Sequence, residues 1–215
     1  MTPPRFIVLE GVEGSGKSTQ IRLLSAWLAG MEVPHTSTRE PGGTAVGEAI
    51  RGVLLDRDGL EMPAETELML MLAARAAFVR EVVSPALARG ETVLADRFDL
   101  STFAYQGFGR GLDLEQVKQM NAFATGGVEP DLYLVLDLPA EEGTQRQARD
   151  GKTLDRIEKA GTGFLQRVRE GYRVLSEGEG RVQVVNARGT PEEVHARLRG
   201  LLQGNFPETF GIPAV

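Results

Sequence analysis

The chain has 215 residues, of which 41% are hydrophobic, enough for one domain with a sizeable core. Its net charge of −6 and pI near 5.1 argue against nucleic-acid binding, because proteins that bind nucleic acids usually carry a basic surface. It has no cysteine, which excludes disulfides, thiolate metal sites and thiol catalysis. No apolar run approaches the ~20 residues of a membrane span, and the first residues do not resemble a signal segment. We therefore expect a cytoplasmic protein without nucleic-acid or membrane partners.

Short apolar runs suited to buried parallel strands alternate with helical patterns along the chain. The predicted strands are residues 6–9, 35–38, 92–95, 132–136 and 182–185, and the predicted helices include 17–29, 64–89, 114–124 and a last one from 190. This alternation is typical of a doubly wound α/β sheet of about five parallel strands with helices on both faces. We predict a single domain over residues 1–215. Its last part, from about 203 to 215, contains two prolines and two glycines and is predicted to be an irregular tail.

Local signals refine three of the predicted helices. In the long helix over residues 64–89, Pro85 is expected to kink or interrupt the last part. Asp113 with Gln116 predicts an N-terminal cap. Thr190, Pro191 and Glu193 form a capping-box pattern that starts the last helix.

Residues 11–18 match the phosphate-binding pattern G-x-x-x-x-G-K-[S/T], with a predicted strand before them and a predicted helix after them. Amide N–H groups of such a loop face phosphate oxygens, and the helix N-terminus adds positive potential. We expect an exposed Lys17 to contact the β- and γ-phosphates and the Ser18 hydroxyl to bind magnesium. The alternative, a glycine-rich turn with a chance lysine, is disfavoured by the flanking elements. The residues predicted to bind ATP are Gly11, Val12, Glu13, Gly14, Ser15, Gly16, Lys17, Ser18 and Thr19.

The P-loop alone does not identify the reaction, because GTPases, ATPases and small-molecule kinases share it. The chain lacks the [N/T]-K-x-D tetrapeptide that gives GTPases their base specificity. The third predicted strand ends in Ala95-Asp96-Arg97, without the neighbouring glutamate typical of mechanical ATPases. Asp96 can bind magnesium together with Ser18, and Arg97 can bridge two phosphoryl groups. This pair favours a phosphotransferase that brings a donor and an acceptor phosphate together; a surface salt bridge is the alternative.

Four further segments resemble motifs of bacterial thymidylate kinases. Residues 96–107 resemble D-R-x-x-x-S-x-x-A-Y-Q, residues 38–44 resemble T-R-E-P-G-G, residues 73–75 resemble the helix motif, and residues 154–158 resemble the lid. The resemblance implies the fold of P-loop nucleoside monophosphate kinases, with a five-stranded parallel sheet and a short lid at about residues 145–158. It also implies phosphorylation of dTMP to dTDP by ATP and Mg²⁺, in dTTP biosynthesis, and a homodimer.

The resemblance further implies roles for individual residues. Arg97 would bind the acceptor phosphate, Arg75 would donate to a thymine carbonyl, and Gln106 would read the base edge. Glu13 would contact the sugar 3′-hydroxyl or the magnesium shell. The residues implied to bind dTMP are Glu40, Pro41, Arg51, Met71, Arg75, Arg97, Ser101, Thr102, Tyr105 and Gln106. The residues implied to act in catalysis are Lys17, Arg97, Arg149, Arg156 and Glu13.

Two features need separate interpretation. Met71 stands where the family usually has an aromatic residue stacked on thymine; methionine can contact a ring through sulfur, but a core methionine is the alternative. The P-loop lacks the arginine of one family branch, and the cation-rich residues 145–156 match the branch whose arginines come from the lid. Within that run Arg146 is interpreted as part of a solvated helix face, whereas Arg149 and Arg156 are interpreted as functional.

Two rival functions follow from the residues alone. One is a kinase for a different nucleotide or nucleoside, and the other is a regulatory ATPase that binds a protein partner. A regulatory ATPase would not turn over faster when a particular nucleoside monophosphate is added.

Overall fold

The computed structural model describes residues 2–55, 60–149, 151, 155–178 and 180–211. Within these ranges, five parallel strands form one sheet in the order β2-β3-β1-β4-β5. The strands are β1 Phe6–Glu10, β2 His35–Arg39, β3 Thr92–Asp96, β4 Leu132–Asp137 and β5 Val182–Asn186. All five predicted strands are confirmed, and each ends one residue later than predicted.

Helices connect the strands and cover the sheet. They are α1 Lys17–Gly30, α2 Ala45–Leu55, α3 Ala64–Phe78, α4 Ser84–Ala88, α5 Asp99–Thr102, α6 Leu114–Thr125, α7 Ala140–Arg149, α8 Thr162–Leu175, α9 Pro191–Asn205 and α10 Pro207–Phe210. Two π-helical segments, Val79–Val83 and Phe103–Gly109, and a 3₁₀ turn, Glu158–Ala160, complete the described elements. No helix in the described ranges combines the length and apolar character that a membrane crossing requires.

The sheet separates two apolar cores because successive residues of a strand point to opposite faces. In β1, Phe6 and Val8 join one core, and Ile7 and Leu9 join the other. Both faces are covered by helices, so the strand is apolar at every position rather than at every second one. This burial explains why β1 and β4 are recognisable in the sequence as continuous apolar runs, whereas β2 is polar and less buried.

The strand order places β1 between β3 and β4, and its C-terminal end is where the chain connections diverge. Leu9 of β1 lies beside Asp96 of β3, so the P-loop and the Asp96-Arg97 pair leave the sheet side by side. In open α/β sheets, ligands bind in the crevice at such a switch point. The topology therefore brings two motifs together that are about 80 residues apart in the sequence.

The predicted caps are confirmed. Asp113 Oδ1 accepts a hydrogen bond from the Gln116 amide at 2.9 Å. Thr190 and Glu193 form a reciprocal capping box at the start of α9. Pro85 lies in the first turn of α4, directly after the π-helical segment Val79–Val83, so the long helix changes type just before the proline.

The prediction of an irregular tail is wrong for residues 203–210. α9 continues to Asn205, and α10 follows at once. Phe210 is fully buried, with its ring centroid 6.0 Å from that of Trp27 in α1. Pro207 is the first residue of α10, where the missing N–H group has no intrahelical partner to lose. The proline therefore marks a helix start, and residues 212–215 lie outside the described residues.

Candidate active site

The P-loop connects β1 to α1, and close backbone packing holds it in place. Gly16, at φ +98°, caps α1, and Gly14, at φ +72°, lies against Gly143 of α7. A side chain on Gly14 would overlap the Gly143 carbonyl, and one on Gly143 would overlap the Glu13 carbonyl. Both positions therefore require glycine. This contact, which the P-loop pattern did not predict, fixes α7 beside the phosphate-binding loop.

The Lys17 side chain is buried, so the expectation of an exposed lysine is wrong. Its Nζ donates hydrogen bonds to the carbonyl oxygens of Gly11 and Val12, each at 3.0 Å. Burial lowers the pKa of Lys17 and the Arg97 charge lowers it further, while Glu13 acts in the opposite direction. Two main-chain carbonyl groups thus hold the ammonium group inside the loop.

Oxygen ligands suited to Mg²⁺ meet at the start of α1. Ser18 Oγ donates to Asp96 Oδ2 at 2.8 Å, which joins the P-loop to the end of β3. Hydroxyl and carboxylate oxygens are the hard ligands that Mg²⁺ prefers, usually alongside phosphate oxygens and water. Ser15 Oγ, in the same loop, is buried and has no hydrogen-bond partner in the described part of the chain. The residues present therefore fit a magnesium–nucleotide complex.

A cavity of about 510 Å³ lies over the P-loop. Residues 13–20 form one wall, and residues of α7 and of the β5–α9 connection form another, including Arg146, Gln147 and Gly189. Arg146 also donates to the Ala187 carbonyl at 3.3 Å, so its side chain is held at the cavity. The interpretation of Arg146 as part of a solvated helix face is therefore wrong.

Arg97 is at the centre of the site. It follows β3 at φ +75°, a left-handed backbone conformation that residues with side chains rarely adopt. Its guanidinium is ion-paired with Glu13 and hydrogen-bonded to Ser101 Oγ at 2.9 Å, Tyr105 Oη at 3.1 Å and Tyr172 Oη at 3.2 Å. Four side chains from three separate parts of the sequence thus fix the direction of this guanidinium.

Glu10, the last residue of β1, binds two of the side chains that contact Arg97, namely Ser101 and Tyr172. Its fully buried carboxylate accepts hydrogen bonds from the Phe98 amide at 2.8 Å, Ser101 Oγ at 2.6 Å and Tyr172 Oη at 2.8 Å. Burial raises the pKa of Glu10, and the Arg97 charge opposes this rise. Glu10 and Tyr172 are not among the residues predicted from the sequence, although a glutamate at the end of an otherwise apolar strand is a signal of a buried polar contact.

A second cavity, of about 350 Å³, opens on the other side of Arg97. All ten residues that the resemblance implies for dTMP binding line it, and so do further residues such as Phe98 and Ile157. Arg51 donates to the Pro41 carbonyl at 2.9 Å, which fixes its side chain at the cavity wall. The structure thus gathers residues from α2, α3, α5 and the second π-helical segment around one volume.

The two cavities meet in a shared wall. Glu13, Glu40, Arg51, Arg97 and Gln147 line both of them. Two of these five residues are arginines, whose guanidinium groups suit the binding of phosphate oxygens. Phosphoryl groups bound in the two cavities would therefore approach each other at this wall.

Arg75 is more deeply buried than the sequence indicates. Its side chain is 2% exposed and forms an ion pair with Glu40 at 2.6 Å. The remaining N–H groups donate to Thr102 Oγ1, Asn121 Oδ1 and the Phe98 carbonyl, at 2.9 to 3.1 Å. A thymine carbonyl could accept from Arg75 only in exchange for one of these acceptors, and this role stays a prediction.

Met71 lies one helical turn before Arg75 in α3, and its position is compatible with a core residue and with a contact to a ligand ring; the contact with thymine stays a prediction. It packs against the core that contains Phe78 and Phe98, and it also lines the second cavity. A single side chain thus forms part of the core surface on which a ligand ring would rest.

The two lid arginines do not reach the P-loop in this structure. Arg149, at the end of α7, is exposed and lines neither cavity. Arg156 donates to Glu67 Oε2 at 2.5 Å and to the Leu54 carbonyl at 2.9 Å. Residues 150 and 152–154 of the predicted lid lie outside the described residues.

Comparison with known proteins assigns the site to a family. The family model for thymidylate kinase matches residues 9–198. The chain is 49% identical over 212 residues to the thymidylate kinase of Desulforudis audaxviator, covering 96% of this chain and 94% of that protein. It is 49% identical over 192 residues to that of Pelotomaculum thermopropionicum, with 89% of each chain covered.

A solved structure supports the same assignment. The crystal structure of thymidylate kinase from Ehrlichia chaffeensis superposes with a TM-score of 0.75 at 29% sequence identity, covering 93% of this chain and 99% of that one. The fold is therefore that of the P-loop nucleoside monophosphate kinases, as predicted. The P-loop, the Asp96-Arg97 pair and the resemblance of the further segments agree with these matches: the chain belongs to the thymidylate kinase family.

Proposed function

We propose that the two cavities divide the thymidylate kinase reaction between them, with ATP in the larger and dTMP in the smaller. As a member of this family, the chain phosphorylates dTMP to dTDP and uses ATP and Mg²⁺. The shared wall supports this assignment of the two substrates, because Arg51 and Arg97 line both cavities there. In-line phosphoryl transfer needs donor and acceptor phosphates at such a junction.

On the donor side, the P-loop amides and Lys17 would bind the ATP phosphates. Ser18 and Asp96 would hold Mg²⁺, which neutralises charge on the phosphate oxygens when bound. Arg146 is added to this set because it lines the same cavity. Arg149 and Arg156, which resemblance alone supports, would contact phosphates only after the lid segment moves over the P-loop.

On the acceptor side, Arg97 would bind the dTMP phosphate and align it with the donor. Its fork geometry suits two phosphate oxygens at once, and its four side-chain partners leave it little freedom. The acceptor phosphate is already an anionic nucleophile, so these residues position and neutralise charge and do no covalent work.

The acceptor assignment is tested by turnover with a panel of monophosphates. We expect dTMP to give the highest kcat/KM, with dUMP slower and with dCMP, dGMP and AMP negligible, in a coupled ADP-release assay. The thymine methyl group is worth only ~1–3 kcal/mol in an apolar pocket, so dUMP is disfavoured rather than excluded. Equal turnover with AMP or dGMP would contradict the assignment and favour a different nucleotide kinase.

We also infer a homodimer built on α3 and α6. These helices pack together through Leu68, Leu72, Val117 and Ala124. Their outer surface exposes Phe123 by 87% and Met69 by 55%. An exposed apolar surface of this kind suits a self-complementary contact with a second copy of the chain.

The dimer is tested with a charge on this surface. We expect Phe123→Glu to convert a dimer into a monomer in light-scattering measurements, because a buried unpaired carboxylate is strongly disfavoured in an interface. Val184→Glu is the matched control, since Val184 is also an exposed apolar residue, at 50%, but lies on β5. A monomeric wild-type protein, or a dimer that survives the Phe123 change, would contradict the proposal.

The remaining inferences concern organisation. We infer one domain that carries its lid at about residues 145–158, and a cytoplasmic location in keeping with the absence of cysteine. Limited proteolysis that released a stable fragment would contradict the single domain.

A further inference from the structure

Glu67 is a buried carboxylate that no predicted role uses. It lies in α3, one helical turn before Met71 and two turns before Arg75, so the three side chains share one helix face. Its side chain is fully buried, and it accepts hydrogen bonds from three residues on other elements. These are Gln106 and Arg110 on one side and the lid residue Arg156 on the other.

The contacts of this carboxylate are specific. Oε1 accepts from Gln106 Nε2 at 2.8 Å and from Arg110 Nε at 3.2 Å. Oε2 accepts from Arg110 Nη2 at 3.0 Å and from Arg156 Nη2 at 2.5 Å. Burial alone would raise the pKa of Glu67, but the hydrogen bonds from Arg110, Gln106 and Arg156 outweigh it and hold the pKa below its usual value. The carboxyl group is therefore ionised at neutral pH and has no proton to donate.

An ionised carboxylate fixes the orientation of an adjacent amide. Because Glu67 only accepts, the nitrogen of the Gln106 amide must face it, and the oxygen must point elsewhere. Gln106 lines the smaller cavity, and Nε2 to Glu67 is its one side-chain hydrogen bond in the described part of the chain. The amide oxygen is therefore the hydrogen-bond acceptor that Gln106 has left for a ligand.

We propose that Glu67 is a positioning residue for base specificity, which holds the Gln106 amide so that its oxygen meets the pyrimidine edge. This rests on the proposed binding of dTMP in the smaller cavity. Thymine and uracil carry an N3–H group that can donate to this oxygen. Cytosine has an unprotonated N3 that would face it as a second acceptor, and an unmatched acceptor pair in a buried site is strongly disfavoured.

The test compares two phosphoryl acceptors, dTMP and dCMP, in two variants. We measure kcat/KM for dTMP and for dCMP in the wild-type protein, in Glu67→Gln and in Glu65→Gln, an exposed residue of the same helix. A glutamine at position 67 can donate as well as accept, so the Gln106 amide is free to turn over. We expect the dTMP-to-dCMP ratio to fall about tenfold or more in Glu67→Gln, the scale of one lost buried hydrogen bond, and to stay unchanged in Glu65→Gln.

A reciprocal exchange separates positioning from simple loss of stability. In the double variant Glu67→Gln with Gln106→Glu, the amide at 67 donates and the carboxylate at 106 again presents only oxygen to the base. We expect this exchange to restore the dTMP-to-dCMP ratio. If melting curves show that Glu67→Gln alone does not fold, the ratio in the exchange variant decides the question.

Two results would overturn the inference. One is a loss in Glu67→Gln that is equal for dTMP and dCMP, which would make Glu67 a purely structural residue. The other is an exchange variant that folds but does not recover the ratio. A wild-type protein that shows no preference for dTMP would instead contradict the proposed binding site, so the two failures are distinguishable.

Discussion

Lys17→Ala is expected to lower kcat for dTMP phosphorylation by ~10³-fold or more, because the variant loses the one P-loop side-chain cation that faces the transferred phosphoryl group. The Lys17 Nζ is held inside the loop by the carbonyl groups of Gly11 and Val12, and at least one of these two hydrogen bonds is exchanged if the ammonium group contacts both phosphates. Turnover is measured at saturating ATP and dTMP by coupled ADP release.

The burial of Lys17 makes a fold control necessary. The residue is 5% exposed, so removing its side chain leaves a cavity and takes one hydrogen bond from each of two carbonyl oxygens, and a moderately lower melting temperature is expected. The far-ultraviolet circular dichroism spectrum should remain that of the wild-type protein. Lys118→Ala, at an exposed lysine of α6, should change neither kcat nor the spectrum. Near-native turnover in a folded Lys17→Ala variant would contradict the assignment of the P-loop.

Arg97 gives the second large expected effect. Arg97→Lys should lower kcat/KM for dTMP by ~10²-fold or more, because an ammonium group keeps the charge but cannot make the two-pronged contact with a phosphate. Calorimetry should show a much larger loss of dTMP binding than of ATP binding, because Arg97 touches the larger cavity only at the shared wall and the P-loop sequence is unchanged in this variant.

The control for this experiment must separate site chemistry from general charge. Arg173→Lys changes an arginine of α8 whose side chain is 61% exposed and forms ion pairs with its sequence neighbours Glu170 and Glu177. It should leave the kinetics unchanged. If Arg97→Lys weakens ATP and dTMP equally, Arg97 serves the fold of the site rather than the acceptor phosphate.

The sequence predicts the central architecture because a strand that is buried on both sides of the sheet is apolar at consecutive positions. The run from Phe6 to Leu9 is apolar at every position, and the glycines of the P-loop are required by backbone geometry that neighbouring residues impose. The caps at Asp113 and Thr190 are equally local, since donor and acceptor lie three residues apart. Patterns of this kind need no knowledge of distant contacts.

Other features depend on contacts that no local pattern records. The burial of Phe210 against Trp27 joins residues from opposite ends of the chain, so the last helix was mistaken for an irregular tail. Arg146 was taken for a solvated residue because the Gly14–Gly143 contact, which places α7 at the P-loop, is invisible in the sequence. Glu10, Glu67 and Tyr172 were missed for the same reason, since their partners are remote in sequence.

The strand order also has a consequence for synthesis on the ribosome. β1 is made first, yet it pairs with β3 and β4, and its Phe6 amide bonds to Asp131, 125 residues later. At roughly 5–20 residues per second, the nascent strand waits about 6–25 s for the last of these partners. Until β3 and then β4 have been made, the apolar run from Phe6 to Leu9 lacks one or both strand partners and resembles segments that aggregate readily. Early shielding of this strand by a chaperone should therefore raise the yield of the native enzyme.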